Sequence, residues 1–138
     1  MTPKQIELVQ SSWTQVLPIQ EQAAELFYGK LFELDPALRS LFKTEFKEQG
    51  RKLMASLNVV VQGLTRLETI LPSVQQLGRR HKDYGVRDRD YDTVAAALLW
   101  TLEQGLGAAF TPEVKEAWAS AYAILAKVMI DASESRAA

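Results

Sequence analysis

"LPSVQQLGRRHKDYG" (residues 71–85) decides how this chain folds, because it holds a helix, its end and the single histidine of the sequence. Val74, Leu77, Gly78 and His81 recur at i, i+3, i+4 and i+7, which places them on one face of a helix turning about 100° per residue. Gly85 ends that helix. Arg79, Arg80 and Lys82 then point sideways or outward. A charged imidazole on an apolar face is costly without a partner, so His81 is expected to be neutral. One of its ring nitrogens then donates and the other keeps a free lone pair.

Working outward, the same period runs through most of the chain. Ile6, Val9, Trp13, Val16 and Leu17 form one stripe, then Phe27, Leu31 and Leu34, then Leu53, Leu57, Val60 and Leu64. Val94, Leu98, Thr101 and Leu102 form a fourth, and Trp118, Tyr122, Leu125 and Met129 a fifth. No run alternates as a strand would. The five prolines fit helix starts. Thr2 and Gln5 flank Pro3 as a capping box, Asp35 precedes Pro36, Thr111 precedes Pro112, and Pro18 and Pro72 open two more helices. The expectation is an all-α chain of about seven to eight helices of unequal length in one irregular domain, residues 1–138, with 131–138 a frayed tail. "KTEFKEQG" (43–50) reads as a loop before a helix starting near Gln49. "DYGVRDRDYD" (83–92) reads as a solvated turn with Asp88 or Asp90 as N-cap, and Trp13, Trp100 and Trp118 read as core.

Composition narrows the function. A chain of 138 residues with 47% hydrophobic side chains encloses a sizeable core. A net charge of −1 gives no pull towards nucleic acid or acidic membranes. No apolar run approaches the roughly 20 residues of a membrane span. "MTPKQIELVQ" lacks a signal peptide's basic start and apolar run, so a cytoplasmic setting is expected. The absence of cysteine removes disulfides, thiolate nucleophiles and cysteine-held zinc or iron–sulfur centres.

Two readings of His81 stand on the residues alone. It is a core histidine bonded to a backbone carbonyl, or it is a metal ligand. A di-iron bundle needs two Glu-x-x-His pairs, and the residue three before His81 is Gly78. Catalytic zinc needs several histidine or cysteine ligands. Haem iron, by contrast, is held by a single proximal histidine under apolar helices, with its propionates open to nearby cations such as Arg80 and Lys82.

The series "LFYGKLFELDPALRSLF" (26–42), "QGRKL" (49–53), "LPSVQQLGRRHKDYGV" (71–86), Tyr91 and "AWASAYAILAKVMI" (117–130) resembles the bacterial single-domain globins and the haem domains of flavohaemoglobins, in order and spacing across nearly the whole chain. The resemblance implies a globin fold around haem b. It makes His81 the proximal iron ligand, and puts Phe42 on the porphyrin at a helix corner, Tyr28 and Gln49 in the distal pocket and Leu53 over the iron. It also implies Val94 in the pocket wall, Tyr91 bracing the proximal imidazole and Arg80 beside the propionates. The glutamate that flavohaemoglobins pair with that tyrosine falls on Ser135, with Glu134 adjacent. The implied function is reversible dioxygen binding for transport, storage or sensing, with carbon monoxide and nitric oxide as further ligands and the chain a monomer or weak homodimer. The enzymatic alternative is nitric oxide dioxygenase served by a separate reductase, since the chain ends soon after its last apolar stripe.

Overall fold

A capping box opens the first helix. The Thr2 hydroxyl accepts the Gln5 amide at 3.1 Å while Gln5 Oε1 accepts the Thr2 amide at 3.0 Å, with Pro3 leading α1 (Pro3–Val16). The structure is a computed structural model describing residues 1–42, 46–83 and 85–137. A 3₁₀ turn carrying Pro18 (Leu17–Ile19) leads into α2 (Gln20–Leu34). Asp35 then accepts the Ala37 amide at 3.1 Å and starts a second such turn, Pro36–Leu41. The remaining helices are α3 (Phe46–Gln62), α4 (Leu67–Asp83), α5 (Asp88–Leu106) and α6 (Pro112–Ala137). Thr111 caps α6 by accepting the Val114 amide at 3.3 Å.

The expected all-α architecture is present, with six α-helices among the described residues rather than seven or eight; the shorter pieces are 3₁₀ turns. Four local expectations are corrected. Helix α3 begins at Phe46, so Gln49 lies in its first turn; the rest of the expected loop, 43–45, lies outside the described residues. Pro72 sits inside α4, which continues from the 3₁₀ turn Gly63–Arg66 and keeps Pro72 exposed near its N-terminal end. Neither Asp88 nor Asp90 is the N-cap of α5. Arg87 holds that position, and its amide donates to Asp90 Oδ2 at 2.8 Å. Finally, α6 runs through the expected tail to Ala137, because Ala132 and Ser133 are buried and hold that stretch against the body.

A large core joins Val9, Trp13, Phe27, Leu31, Leu102 and Trp118 from α1, α2, α5 and α6, with Met54 and Val61 from α3. Trp100 is only half-buried, and the Lys30 ammonium lies 5.2 Å from its ring centre. Leu34, expected in a stripe, is 45% exposed at the end of α2. Helix α4 meets this core at its first residue, Leu67. Its buried Val74 packs with Tyr91 and Met129 in a second, smaller cluster, and its main support is α6. Helices α3 and α4 are joined by the turn Gly63–Arg66, and Val60 of α3 packs against the smaller cluster. Among the described residues no helix is long and apolar enough to cross a membrane.

Candidate functional site

On α4, Val74 and Gly78 are buried and Leu77 and His81 half-buried, so the apolar face faces inward as its spacing requires. His81 Nδ1 lies 2.8 Å from the Leu77 carbonyl oxygen, one turn back on the same helix. A carbonyl only accepts, so Nδ1 carries the proton and Nε2 keeps its lone pair. Burial lowers the affinity of the imidazole for a second proton, and the Leu77 carbonyl opposes that only in part. The ring is therefore a neutral, pre-oriented donor of one nitrogen lone pair. Among the described residues nothing else hydrogen-bonds it, and no three His, Asp or Glu side chains gather as a multi-ligand metal site would require.

Tyr91 on α5 lies beside this imidazole, with ring centres 6.3 Å apart and planes 30° apart. Its own carbonyl accepts the Tyr122 hydroxyl at 2.6 Å, which ties α5 to α6 at that level. The backbone turns sharply after His81. The Val86 amide donates to the His81 carbonyl at 2.9 Å, and Gly85 takes φ +95°, a conformation disfavoured for residues with a side chain. A methyl group added at Gly85 would sit 3.5 Å from Leu41 Cδ2. The corner after His81 therefore lies against the residue preceding Phe42.

Aromatic side chains crowd around Phe42. The Phe42 ring meets Tyr28 edge-on at 5.4 Å and Phe32 edge-on at 5.6 Å, and Tyr28 stacks on Phe32 at 6.1 Å. The buried Tyr28 phenol lies 3.4 Å from the backbone carbonyl of Gln49. Burial pushes that phenol up to about 12, and a hydrogen bond from the Gln49 side chain works against the rise. Tyr28, Phe42 and Gln49 are thus brought together. Leu53, one turn beyond Gln49 on α3, and Val94, three residues beyond Tyr91 on α5, both pack half-buried against the main core.

Arg80 and Lys82 are exposed. Glu134 is exposed on α6, and the Ser135 side chain lies outside the described residues. The hydrogen-bond partner of His81 is a neutral carbonyl. Sequence reasoning did not single out Phe32, whose phenylalanine period with Tyr28 (i, i+4) was the available signal.

Comparison with known proteins decides the family. Residues 25–129 match the family model described as Globin. The chain belongs to the globin family. It is 29% identical over 143 aligned positions to neuroglobin of Danio rerio, covering 94% of this chain and 90% of that protein. It is also 29% identical over 134 positions to the flavohemoprotein of Bacillus subtilis (strain 168), covering 92% of this globin but 33% of that longer protein. In three dimensions it superposes on a bacterial globin from Campylobacter jejuni with a TM-score of 0.86 and 24% identity, covering 97% of each chain. Membership in the family carries haem-based binding of diatomic gases.

Proposed function

We propose that this globin holds haem b through His81 Nε2 and binds dioxygen reversibly, with Tyr28 and Gln49 as the polar groups facing the gas. The observation that carries the reading is the His81–Leu77 bond of 2.8 Å, which leaves a neutral imidazole with one free nitrogen on the inner face of α4. The residues fit the group. His81 offers the single ligand that a porphyrin iron needs, and Phe42, Leu53 and Val94 are half-buried apolar side chains of the kind that its faces need. Haem supplies the ferrous iron that takes the gas. His81 would hold that iron through Nε2, and Tyr91 would brace the imidazole. Phe42 and Leu53 keep water from the distal side. The Tyr28 hydroxyl and the Gln49 carboxamide offer donors that favour dioxygen, which polarises on binding, over carbon monoxide, which polarises less.

The partner of His81 favours binding over turnover. A carboxylate on Nδ1 would load the imidazole with negative charge, whereas the Leu77 carbonyl does not, and Glu134 is exposed. The test is a haem titration followed by absorption spectra in ferric, ferrous and oxygenated forms, for the natural chain and for His81→Ala. A Soret band that responds to dioxygen and is lost in His81→Ala is the expected result. An unchanged spectrum in His81→Ala overturns the ligand assignment. Sustained nitric oxide consumption with an added reductase would replace the binding role by the dioxygenase one.

A further inference from the structure

Helix α6 touches the proximal side at two places that have no ligand of their own. The first is Gly78, three residues before His81. A Cβ added there would lie 2.5 Å from the Met129 Cα and 2.7 Å from its carbonyl carbon, and would also meet its carbonyl oxygen. All three are backbone atoms of α6, so no side-chain rotation relieves the contact. To regain ordinary carbon–carbon separation α4 would have to withdraw from α6 by roughly 1 Å. The second is Tyr122, whose hydroxyl donates to the Tyr91 carbonyl at 2.6 Å and holds the first turns of α5 on the same helix. Tyr91 in turn lies beside His81 with ring centres 6.3 Å apart. One helix thus fixes both members of that ring pair, the imidazole from behind through α4 and the phenol through α5.

We propose that Gly78 and Tyr122 are positioning residues for His81, setting through α6 the register of its imidazole against Tyr91. This rests on His81 being the haem ligand. The Leu77 carbonyl that orients the ring is the neighbour of Gly78 in the chain, so displacing α4 at Gly78 carries both the ring and its hydrogen-bond partner away from Tyr91. Removing the Tyr122 hydroxyl leaves α4 in place and loosens the other half of the pair. Val9 of α1 is buried in the main core, outside the cluster of Val74, Tyr91 and Met129, and truncating it leaves a cavity away from the α4–α6 contact.

His81 is the only histidine of the sequence, so every imidazole nitrogen and carbon signal in an NMR spectrum belongs to it. The experiment compares the natural chain, Gly78→Ala, Tyr122→Phe and Val9→Ala by long-range ¹H–¹⁵N spectra of the haem-free proteins and by the rate of haem loss to an excess of acceptor apoprotein. Gly78→Ala is expected to move the imidazole signals and to speed haem loss roughly ten- to a hundred-fold. Tyr122→Phe is expected to move them less and to speed loss roughly two- to ten-fold. Val9→Ala is expected to lower the unfolding midpoint while leaving the imidazole signals in place. Should Gly78→Ala not fold, Tyr122→Phe decides alone. Imidazole signals in the two variants no different from those of Val9→Ala overturn the proposal. The haem-free spectra report the register whether or not haem binds, so failure of the ligand reading, seen as haem retained by His81→Ala, is a separate outcome.

Discussion

The Tyr28 phenol and the Gln49 carbonyl, 3.4 Å apart, join the first turn of α3 to the middle of α2. For an O–H donor this is a long bond, well beyond the usual 2.5–3.0 Å, and a closer acceptor is a better one. A polarised dioxygen is such an acceptor. Replacing Tyr28 by Phe removes the donor and keeps the ring in its contacts with Phe32 and Phe42. One net hydrogen bond is worth about 0.5–1.5 kcal/mol, so Tyr28→Phe is expected to speed dioxygen release by roughly two- to ten-fold, and further if the pocket is dry. Carbon monoxide release should change less. Stopped-flow displacement measures both rates, and an unchanged dioxygen rate removes Tyr28 from the distal role.

The same phenol makes the fold sensitive to alkali. Burial pushes Tyr28 up to about 12 from an ordinary 10.0. Because the folded value is the higher one, its contribution is complete below about pH 10 and is lost as pH rises towards 12, where only the unfolded chain gives up the proton readily. The loss amounts to roughly 2–3 kcal/mol across that window. Tyr122 and Tyr91 are also raised by burial, with nearby carboxylates adding to it, so Tyr28→Phe should flatten the decline without abolishing it. Urea unfolding at about pH 9 and about pH 11 checks this. Equal losses in the natural chain and in Tyr28→Phe would refute it.

In the main core, Ser12 ties α1 to α6. Its hydroxyl accepts the Trp118 indole N–H at 2.8 Å and sits 2.7 Å from the Leu8 carbonyl and 3.0 Å from that of Val9, either of which takes its one proton. Both residues are buried. Ser12→Ala strands the indole N–H in the core, which costs about 1–3 kcal/mol. Denaturant unfolding should show this loss with the haem spectrum unchanged, since neither residue approaches His81.

Period and capping chemistry made the helical scaffold legible. Thr2 with Gln5, Asp35 before Pro36 and Thr111 before Pro112 all cap as their types predict. The face of His81 was legible for the same reason, since four residues at helical spacing leave the ring one direction to point. What stayed hidden depends on tertiary context. Lys47 and Glu48 read as loop because the first turn of α3 faces solvent on that side. Pro72 carries the signature of a helix start, yet α4 is already under way from a 3₁₀ turn that bears no cap signal. The polar stretch beyond residue 130 stays helical because Ala132 and Ser133 find the body. Tyr28 and Gln49, each ordinary alone, become a pair only when α2 and α3 cross; without the family resemblance no local pattern joins them.

Asp90 illustrates how a charged residue in an apparently solvated turn becomes structural. Its side chain is 3% exposed; Oδ2 accepts the Arg87 amide at 2.8 Å, and Oδ1 faces the half-exposed Arg87 guanidinium at 3.5 Å. It therefore satisfies one of the unpaired amides at the start of α5 and favours the positive end of the helix dipole. Tyr91 follows it directly, so this turn also anchors the ring beside His81. Asp90→Ala is expected to lower stability by about 1–2 kcal/mol and to raise hydrogen exchange at the first amides of α5. Asp90→Asn keeps an acceptor for the Arg87 amide and gives up the charge facing the helix dipole and the Arg87 guanidinium, so it should lose less than Asp90→Ala. Urea unfolding of the two variants separates the terms: equal losses would mean that the charge, rather than the cap, holds the turn.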